Sequence, residues 1–412
     1  MKKVIEAICF DTIIPLWNQQ PEDFPRFLSV VEEEQKRENE KIFENYRKSL
    51  QNHMKAFPEK EKERLTWKEK LDEDFLEFVE NENIIGIKKA MDQELFQAFW
   101  KETKHFVRRT RDFDHTLSIE SIWQAIRNFF IYAVIVDLQD DEQNCDDPIF
   151  SYSLLYPYTD NFIDDTKKSN VEKESYNEMI KRTICGEAPE VNGECEKKTQ
   201  KLLMNLLSFD EFSDIEEIRN ALLLILDAQM KSMIQQSNAD LSYHDVLQIS
   251  VYKGALSVFV DYLLASSNRC EEDTEFYLKF GFLLQVVDDI QDICNDLKDK
   301  SKTLIAYHYK KGSLEAVVNK LLHYAHTIFH SFSPKNPKRK EFMMQNCFTM
   351  ILVTVASNQQ YFSRNYLKEI ERYLPFRFDY LKGFSVSKDK NTSKHFDKVR
   401  DNGMRILDTI VK

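Results

Sequence analysis

The chain has 412 residues and a formal net charge of -12, which argues against a protein that binds nucleic acid through its overall field. Its 8 glycines and 10 prolines are too few to supply the turns of a many-stranded β protein. The seven cysteines lack zinc-like spacing, and no apolar run matches a secretory leader or a membrane span. We therefore expect an all-α, cytoplasmic protein without a transmembrane segment.

The first segment, residues 1–84, is predicted to be a charged helical extension. It begins with an amphipathic helix that we expect Pro15 and Pro21 to break. From residue 31 onwards, apolar residues recur at intervals of three and four among many charges. This pattern predicts surface helices with narrow apolar stripes.

A larger α-helical domain is predicted for residues 85–385, followed by a tail and short helix in residues 386–412. Ser118 and an acidic first turn are typical of a helix start, and residues 118–138 continue as an apolar helix. Arg127 is the one charge at the centre of that helix, and its guanidinium needs an anion. The pattern leaves open whether the protein or a ligand provides it. Helical periodicity also covers residues 149–165, 172–182, 196–208, 212–236, 243–266, 273–298, 313–331, 338–368 and 369–382.

Three aspartates occur in the apolar helical stretch GFLLQVVDDIQD, residues 281–292. Asp288 and Asp292 are four residues apart and so project from one helix face, with Asp289 beside them. Charges are costly to bury unless a partner or a metal neutralises them. We therefore expect these acids to face inward and to bind Mg²⁺, which is typically held by one or two carboxylates together with substrate phosphates. Chance alone predicts such spacing about twice in so acidic a chain; the matches that we interpret as solvated faces are Glu73–Glu77 and Glu271–Glu275.

A second acid cluster, DNFIDD, occupies residues 160–165 after an aromatic and apolar segment. Asp160 and Asp164 are again four residues apart, and Asn161 and Asp165 lie beside them. Two such helices facing each other would place carboxylates on opposite walls of a cavity. Metal ions between them could hold a diphosphate and draw electrons toward the leaving oxygen. When the diphosphate of an allylic substrate departs, a carbocation is left behind, and it needs an aromatic pocket without water.

The start of this first motif has an alternative. Asp137 ends another apolar helix and is followed by Asp140 and Asp141. We favour Asp160 over Asp137, because Asp137 leads into a polar loop that we expect to face solvent.

The string from Gly281 to Asp292, G-x-x-x-Q-x-x-D-D-x-x-D, resembles the second aspartate-rich motif of the trans-isoprenyl diphosphate synthase superfamily. Asp296 to Leu304 resembles the lysine-containing segment that follows it there, and Val251–Leu256 resembles the lysine motif of the preceding helix. The resemblance covers about residues 120–310. It implies a class I terpenoid synthase-like bundle of antiparallel helices around a deep apolar cavity.

The resemblance also implies a set of functional residues. Asp160, Asp164, Asp288 and Asp292 would be the main catalytic acids, and about three Mg²⁺ ions would be bound by these and by Asn161, Asp165 and Asp289. Gln285 would orient a metal-bound water or an aspartate, and Arg372–Tyr373 is similar to a pair that senses diphosphate in class I terpene cyclases. The residues that would bind the diphosphate of the substrate are Arg127, Lys253, Gln285, Lys302, Arg372 and Tyr373.

The chain also departs from the family. The first motif is DNxxDD instead of DDxxD, and the Gly-Gly-Lys-Arg segment and paired arginine that bind isopentenyl diphosphate are absent. Loss of this co-substrate site favours a terpene synthase, which ionises a single prenyl diphosphate and releases diphosphate. A chain-elongating prenyltransferase and a non-catalytic helical scaffold of the same fold are the alternatives. A homodimer is implied by resemblance alone.

Overall fold

The protein is all-α in the part of the chain that the structure describes. This computed structural model describes residues 1–139, 147–165, 167–208, 215–236, 240–266, 269–312, 314–385 and 396–411. Helices account for 80% of it, and no strand occurs in these ranges. The predicted fold class is therefore confirmed at the level of all-α.

The helices are as follows, in chain order. The first group is α1 (Lys2–Ala7), α2 (Ile14–Asn18), α3 (Glu33–Lys55), α4 (Glu61–Asn81), α5 (Ile87–Ala90) and α6 (Gln93–Phe113). The second group is α7 (Ile119–Gln139), α8 (Asp147–Asp164), α9 (Asn170–Ile184), α10 (Glu194–Leu207), α11 (Ile215–Ser232), α12 (Tyr243–Ala265) and α13 (Glu271–Gln291). The third group is α14 (Ile293–Asp299), α15 (Leu304–Lys311), α16 (Glu315–His330), α17 (Pro337–Ser357), α18 (Arg364–Glu371), α19 (Phe378–Ser385) and α20 (Phe396–Val411).

The chain divides into two compact units, each built from two stretches of sequence. Unit 1 contains Met1–Phe24 and Thr116–Lys340, and unit 2 contains Pro25–His115 and Glu341–Lys412. The boundaries near residues 84 and 385 were predicted from changes in composition along the sequence. The two units are instead defined by which residues contact one another in the structure. Residues 1–24 therefore share a unit with both acid clusters.

The N-terminal helical segment is continuous through Pro15, contrary to the predicted break. A π-helical stretch, Ile8–Ile13, joins α1 to α2, and Pro15 lies in the first turn of α2, where a missing N–H is tolerated. Trp17 is fully buried, packs edge-on against Phe282 and Tyr324, and donates from Nε1 to Tyr243 Oη over 3.1 Å. This segment is thus part of the core of unit 1.

The centre of unit 1 is α12, which is apolar and buried on nearly every side. It packs against α7, α11 and α13, and α7 packs against α8. The predicted start of α7 is confirmed, because Ser118 Oγ accepts from the backbone N–H of Ser121 over 3.1 Å. α7 and α12 are also long and apolar enough to cross a membrane, although core helices of globular proteins pass the same test and 50% and 78% of their apolar windows are buried here.

The tight crossing of α12 and α13 depends on two glycines. A Cβ on Gly281 would lie 2.2 Å from the carbonyl oxygen of Gly254, and one on Gly254 would lie 2.7 Å from the carbonyl oxygen of Gly281. The two backbones are therefore in direct contact at this point. The contact brings Lys253 of α12 and Gln285 of α13 to the same end of the crossing.

In unit 2, α3 joins the two stretches of sequence. Glu40 accepts from Arg377 through both carboxylate oxygens, with Nη2–Oε2 at 2.5 Å and Nε–Oε1 at 3.0 Å. Asn39 Nδ2 donates to the Pro375 carbonyl oxygen over 3.0 Å, and Phe27 packs against Phe348. Bidentate pairs of this kind fix geometry, so residues 25–115 fold together with the chain after residue 340.

Candidate functional site

The aspartates of α13 face different environments, although they are adjacent in sequence. Asp288 and Asp292 are exposed, whereas Asp289 is buried. The expectation that all three face inward is therefore wrong for Asp288 and Asp292. The helix ends immediately before Asp292, whose φ of -92° and ψ of 3° interrupt the predicted single helix and separate α13 from α14.

Gln285 holds the buried aspartate. Its Nε2 donates to Asp289 Oδ1 over 2.8 Å, and Asp289 Oδ2 has no hydrogen-bond partner among the described residues. Burial raises the pKa of Asp289 to about 8, and the charges of Asp296 and Asp288 add to the effect, while the bond from Gln285 and the charge of Lys253 oppose it. The raised pKa favours the neutral form of the Asp289 carboxyl unless a cation binds next to it.

The pKa of Asp289 predicts how stability depends on pH. An unfolded aspartate titrates near ~3.9, so between about 4 and about 8 the folded state binds the extra proton and the free energy of unfolding falls as the pH rises. The contribution of this one group to the slope approaches about 1.4 kcal/mol per pH unit. Urea denaturation of wild type and Asp289→Asn at several pH values in metal-free buffer measures it. The slope is expected to be shallower in Asp289→Asn but not in Asp288→Asn, and equal slopes for wild type and Asp289→Asn would contradict the assignment.

Asp296 adds a further acid to this group. Burial, with a smaller contribution from the charges of Asp292 and Asp288, raises its pKa to about 6, while a hydrogen bond from Thr303 Oγ1 at 2.8 Å opposes the shift. The charge of Lys253 lowers the pKa of both Asp289 and Asp296. The lysine that the sequence singled out in α12 therefore acts electrostatically on these acids.

The segment between α14 and α15 is held through Lys302 against the 3-10 turn Met233–Gln236, which follows α11. The backbone N–H of Lys302 donates to the Gln235 carbonyl oxygen over 3.1 Å, and Gln235 Nε2 donates back to the Lys302 carbonyl oxygen over 3.1 Å. Thr303, the next residue, is hydrogen-bonded to Asp296. Together these contacts hold the backbone of Lys302 near Asp296. Gln235 was not predicted from sequence, because its partner is 67 residues away.

The first acid cluster lies at the end of α8. Asp160 is partly buried, Asn161 is exposed, and Asp165 Oδ1 accepts from the backbone N–H of Lys167 over 2.9 Å. Asp164 lies in the last turn of α8, but its side chain is outside the described part of the structure. Gln124 Nε2 of α7 donates to Asp160 Oδ2 over 3.4 Å.

One face of α7 connects the two acid clusters. Arg127 lies three residues after Gln124, which places both side chains on the same face. Arg127 Nη1 is 4.0 Å from Asp288 Oδ1, with about half of each side chain exposed. Asp160 and Asp288 thus contact the same turn of α7. The anion nearest to Arg127 in the described structure is therefore a protein carboxylate, that of Asp288. Gln124 was not predicted from sequence. Its one sequence signal is its position three residues before Arg127 on an apolar helix.

Asp137 has a different neighbour. Its Oδ2 lies 2.9 Å from Arg339 Nε, and both side chains are largely buried, at 12% and 10% exposure. The polar loop after Asp137 lies mostly outside the described residues, so the expectation that it faces solvent stays a prediction. Asp140 and Asp141 lie outside the described residues, so the alternative first motif as a whole has no described geometry.

The buried position of this ion pair predicts a structural effect. Replacing Asp137 by alanine leaves the Arg339 guanidinium without its carboxylate, and we expect the free energy of unfolding to fall by about 3 kcal/mol. Chemical denaturation measures this, and Asp137→Leu combined with Arg339→Met is the control, since it removes both charges and is expected to recover most of the loss. A fully stable Asp137→Ala variant would argue for Asp137 as a functional acid.

Arg372 and Tyr373 belong to unit 2. Arg372 Nη1 lies 2.7 Å from Glu369 Oε1, and Tyr373 Oη donates to the same oxygen over 3.1 Å. The arginine is more than half exposed, and its guanidinium lies over the Tyr373 ring. A role of this pair in binding diphosphate stays a prediction.

The donor chemistry of the acid clusters fits a hard cation. They offer oxygen ligands only. Asp288 and Asp292, at the end of α13, are exposed, and no described group bonds to the buried Oδ2 of Asp289. In the described part of the chain, no three His, Cys, Asp or Glu side chains are grouped closely enough to bind a metal by themselves. That arrangement is compatible with Mg²⁺, which usually keeps water and substrate phosphates among its ligands.

Two clefts are described, and neither borders the acid clusters. One of about 610 Å³ lies between α3 and α4 in unit 2, where Asn52, His53 and Trp67 line it. Another of about 310 Å³ lies in unit 1 beside Met1 and Asn220. The deep apolar cavity therefore stays a prediction.

Neither a known family model nor a curated protein sequence matches this chain. Its chemistry has to be inferred from the acid clusters and the cations next to them.

Proposed function

We propose that this protein is a Mg²⁺-dependent class I terpene synthase, with the corresponding fold in unit 1. It would ionise a linear prenyl diphosphate, rearrange or cyclise the carbocation, and release diphosphate. The observation that carries the proposal is that Gln124 and Arg127, on one face of α7, contact Asp160 and Asp288 respectively. Two acid motifs 128 residues apart in sequence thus meet one helix turn.

The residues around this turn divide into two roles. Asp160, Asp288 and Asp292, with Asp164, would hold Mg²⁺, and the bound ions would neutralise the diphosphate and stabilise it as a leaving group. Lys253 and Lys302 would contact the diphosphate oxygens as point charges. Arg127 would exchange its long contact with Asp288 for a phosphate oxygen, because an exposed pair at 4.0 Å contributes little. Gln285 keeps the buried Asp289 in one orientation.

No side chain is needed as a nucleophile in this mechanism. Departure of the diphosphate creates the electrophile, and the surrounding apolar helices α7, α8 and α12 would exclude bulk water from it. Aromatic side chains of α7 and α8, such as Phe129, Tyr152 and Tyr156, can stabilise positive charge through their ring faces. The lack of the isopentenyl diphosphate segments supports a reaction with a single substrate.

Product analysis tests the proposal directly. The full chain is incubated with Mg²⁺ and prenyl diphosphates of increasing length, each with and without isopentenyl diphosphate. We expect an alcohol or hydrocarbon and free diphosphate from a single substrate. Longer diphosphates that form only with isopentenyl diphosphate would instead establish a chain-elongating prenyltransferase. No turnover and no Mg²⁺-dependent binding of inorganic diphosphate would leave the non-catalytic scaffold.

A further inference from the structure

One carboxyl group away from the acid clusters is buried with an incomplete set of hydrogen bonds. Asp261 on α12 is 0% exposed. Its Oδ1 accepts from Asn128 Nδ2 over 3.0 Å, and the same nitrogen donates to Ser153 Oγ over 3.1 Å. No group in the described ranges bonds to its Oδ2. A buried oxygen without a partner is unfavourable, and an ordered water is the usual remedy.

Asp261 lies at a similar distance along the helices from both acid clusters. It follows Lys253 by eight residues on α12, which is roughly 12 Å along a helix axis. Its indirect partner Ser153 precedes Asp160 by seven residues on α8, roughly 10 Å along that axis. Because α7, α8 and α12 pack together, Asp261 is enclosed among the helices that carry Arg127, Asp160 and Lys253.

Two tyrosine hydroxyls are close to both Asp261 and Asp160. Tyr152, Tyr156 and Asp160 are spaced by four residues and share one face of α8. The hydroxyl oxygens of Tyr152 and Tyr156 are 3.3 Å apart, and Tyr152 also donates to the Ser257 carbonyl oxygen over 2.9 Å. After burial, the charges of Asp261 and Asp160 are among the causes that raise the pKa of both tyrosines. The hydroxyl pair therefore spans part of the way between the two carboxyls.

Burial raises the pKa of Asp261 well above its usual value, against the hydrogen bond from Asn128. Burial thus favours the neutral carboxyl over the carboxylate. A neutral carboxyl can hold a water by a hydrogen bond, whereas a carboxylate would itself react with a nearby carbocation.

We infer that a water molecule binds at Oδ2 of Asp261 and adds to the carbocation, so that the product of the proposed reaction is an alcohol. The chemical role rests on the proposed function, but the water site does not. A lone pair of the water oxygen forms the new C–O bond, and one O–H bond of the resulting oxonium ion then breaks. The proton passes to an oxygen of the released diphosphate. Prenyl diphosphate and water thus give an alcohol, diphosphate and one proton, and Asp261 is unchanged.

The test combines a crystal structure with isotope labelling. High-resolution crystallography of wild type is expected to show an ordered water within hydrogen-bonding distance of Asp261 Oδ2. Reaction in oxygen-18 water is expected to give labelled alcohol. We expect the alcohol fraction of the products to fall at least about tenfold in Asp261→Leu and to be partly retained in Asp261→Asn, which still binds a water. Ser250→Ala is the matched control, since it removes another buried, unpartnered hydroxyl from α12 and is expected to keep the wild-type product ratio.

The outcomes separate this inference from the proposed function. A dry Oδ2, or an alcohol fraction equal in wild type and both Asp261 variants, overturns the inference even if diphosphate is released. A hydrocarbon as the sole wild-type product overturns the attack by water while the proposed function stands. An ordered water without release of diphosphate from any substrate supports the water site and overturns the proposed function.

Discussion

Replacing Asp288 and Asp292 together by alanine is expected to lower the rate of diphosphate release at least about 1000-fold, because both oxygen ligands of the α13 wall are lost at once. Both side chains are exposed in the free protein, so the fold should tolerate the change. Diphosphate release is measured with the prenyl diphosphate that wild type converts fastest, over a range of Mg²⁺ concentrations. Thermal unfolding of the same samples checks that the variant is folded.

The chain provides a matched control in α4. Glu73 and Glu77 have the same spacing of four residues and are both exposed, but they belong to unit 2. Glu73→Ala combined with Glu77→Ala removes the same charge and is expected to keep the wild-type rate. A similar loss of activity in both double variants would assign the effect to net charge rather than to a metal site.

Replacing Gly281 by alanine is expected to lower the free energy of unfolding by at least about 3 kcal/mol. Alanine is favoured over glycine in a helix by about 1 kcal/mol, which alone predicts a gain in stability. The contact outweighs this gain, since the new Cβ would lie 2.2 Å from a backbone oxygen of Gly254 and 3.0 Å from the Cα of Ala255. Backbone atoms cannot rotate away as a flexible side chain can, so α12 and α13 must separate.

Urea denaturation of Gly281→Ala and Gly254→Ala measures the effect. Glu272→Ala, at an exposed position of α13, is the control and is expected to change stability by less than about 0.5 kcal/mol. Separation of the helices also moves Lys253 from Asp289, so the variants should show an altered pH dependence of stability. A Gly281→Ala variant more stable than wild type would show that the two backbones are not in contact.

The periodicity of apolar residues was sufficient to predict most of unit 1. The predicted segment 118–138 became α7 at residues 119–139, and 243–266 became α12 at 243–265. The break at Asp292 was missed, because neither glycine nor proline marks it. The short helix α15 was also missed, because its N-cap, Thr303, is one of many threonines and serines that precede apolar residues.

For the candidate site, the spacing of residues in the sequence predicted less than it did for the helices. Spacing of four residues predicted one shared face for Asp288 and Asp292, but it did not reveal which face of α13 the neighbouring helices cover. Packing buries Asp289 and leaves the other two in solvent, and that difference sets its pKa. Likewise, Asp137 and Arg339 are 202 residues apart, so their ion pair could not be inferred from either local sequence.

The sequence by itself determined that this protein is helical, where its longest helices run, and which acids are spaced four residues apart on them. Those properties are local, since helix periodicity and side-chain spacing depend on residues within a few turns. Only the tertiary structure decided that Gln124 and Arg127 connect two distant acid clusters, that Gly254 and Gly281 allow α12 and α13 to touch, and that Asp261 is enclosed. Each of these depends on the close approach of segments far apart in the chain, which is governed by packing and burial and not by the pattern of any one helix.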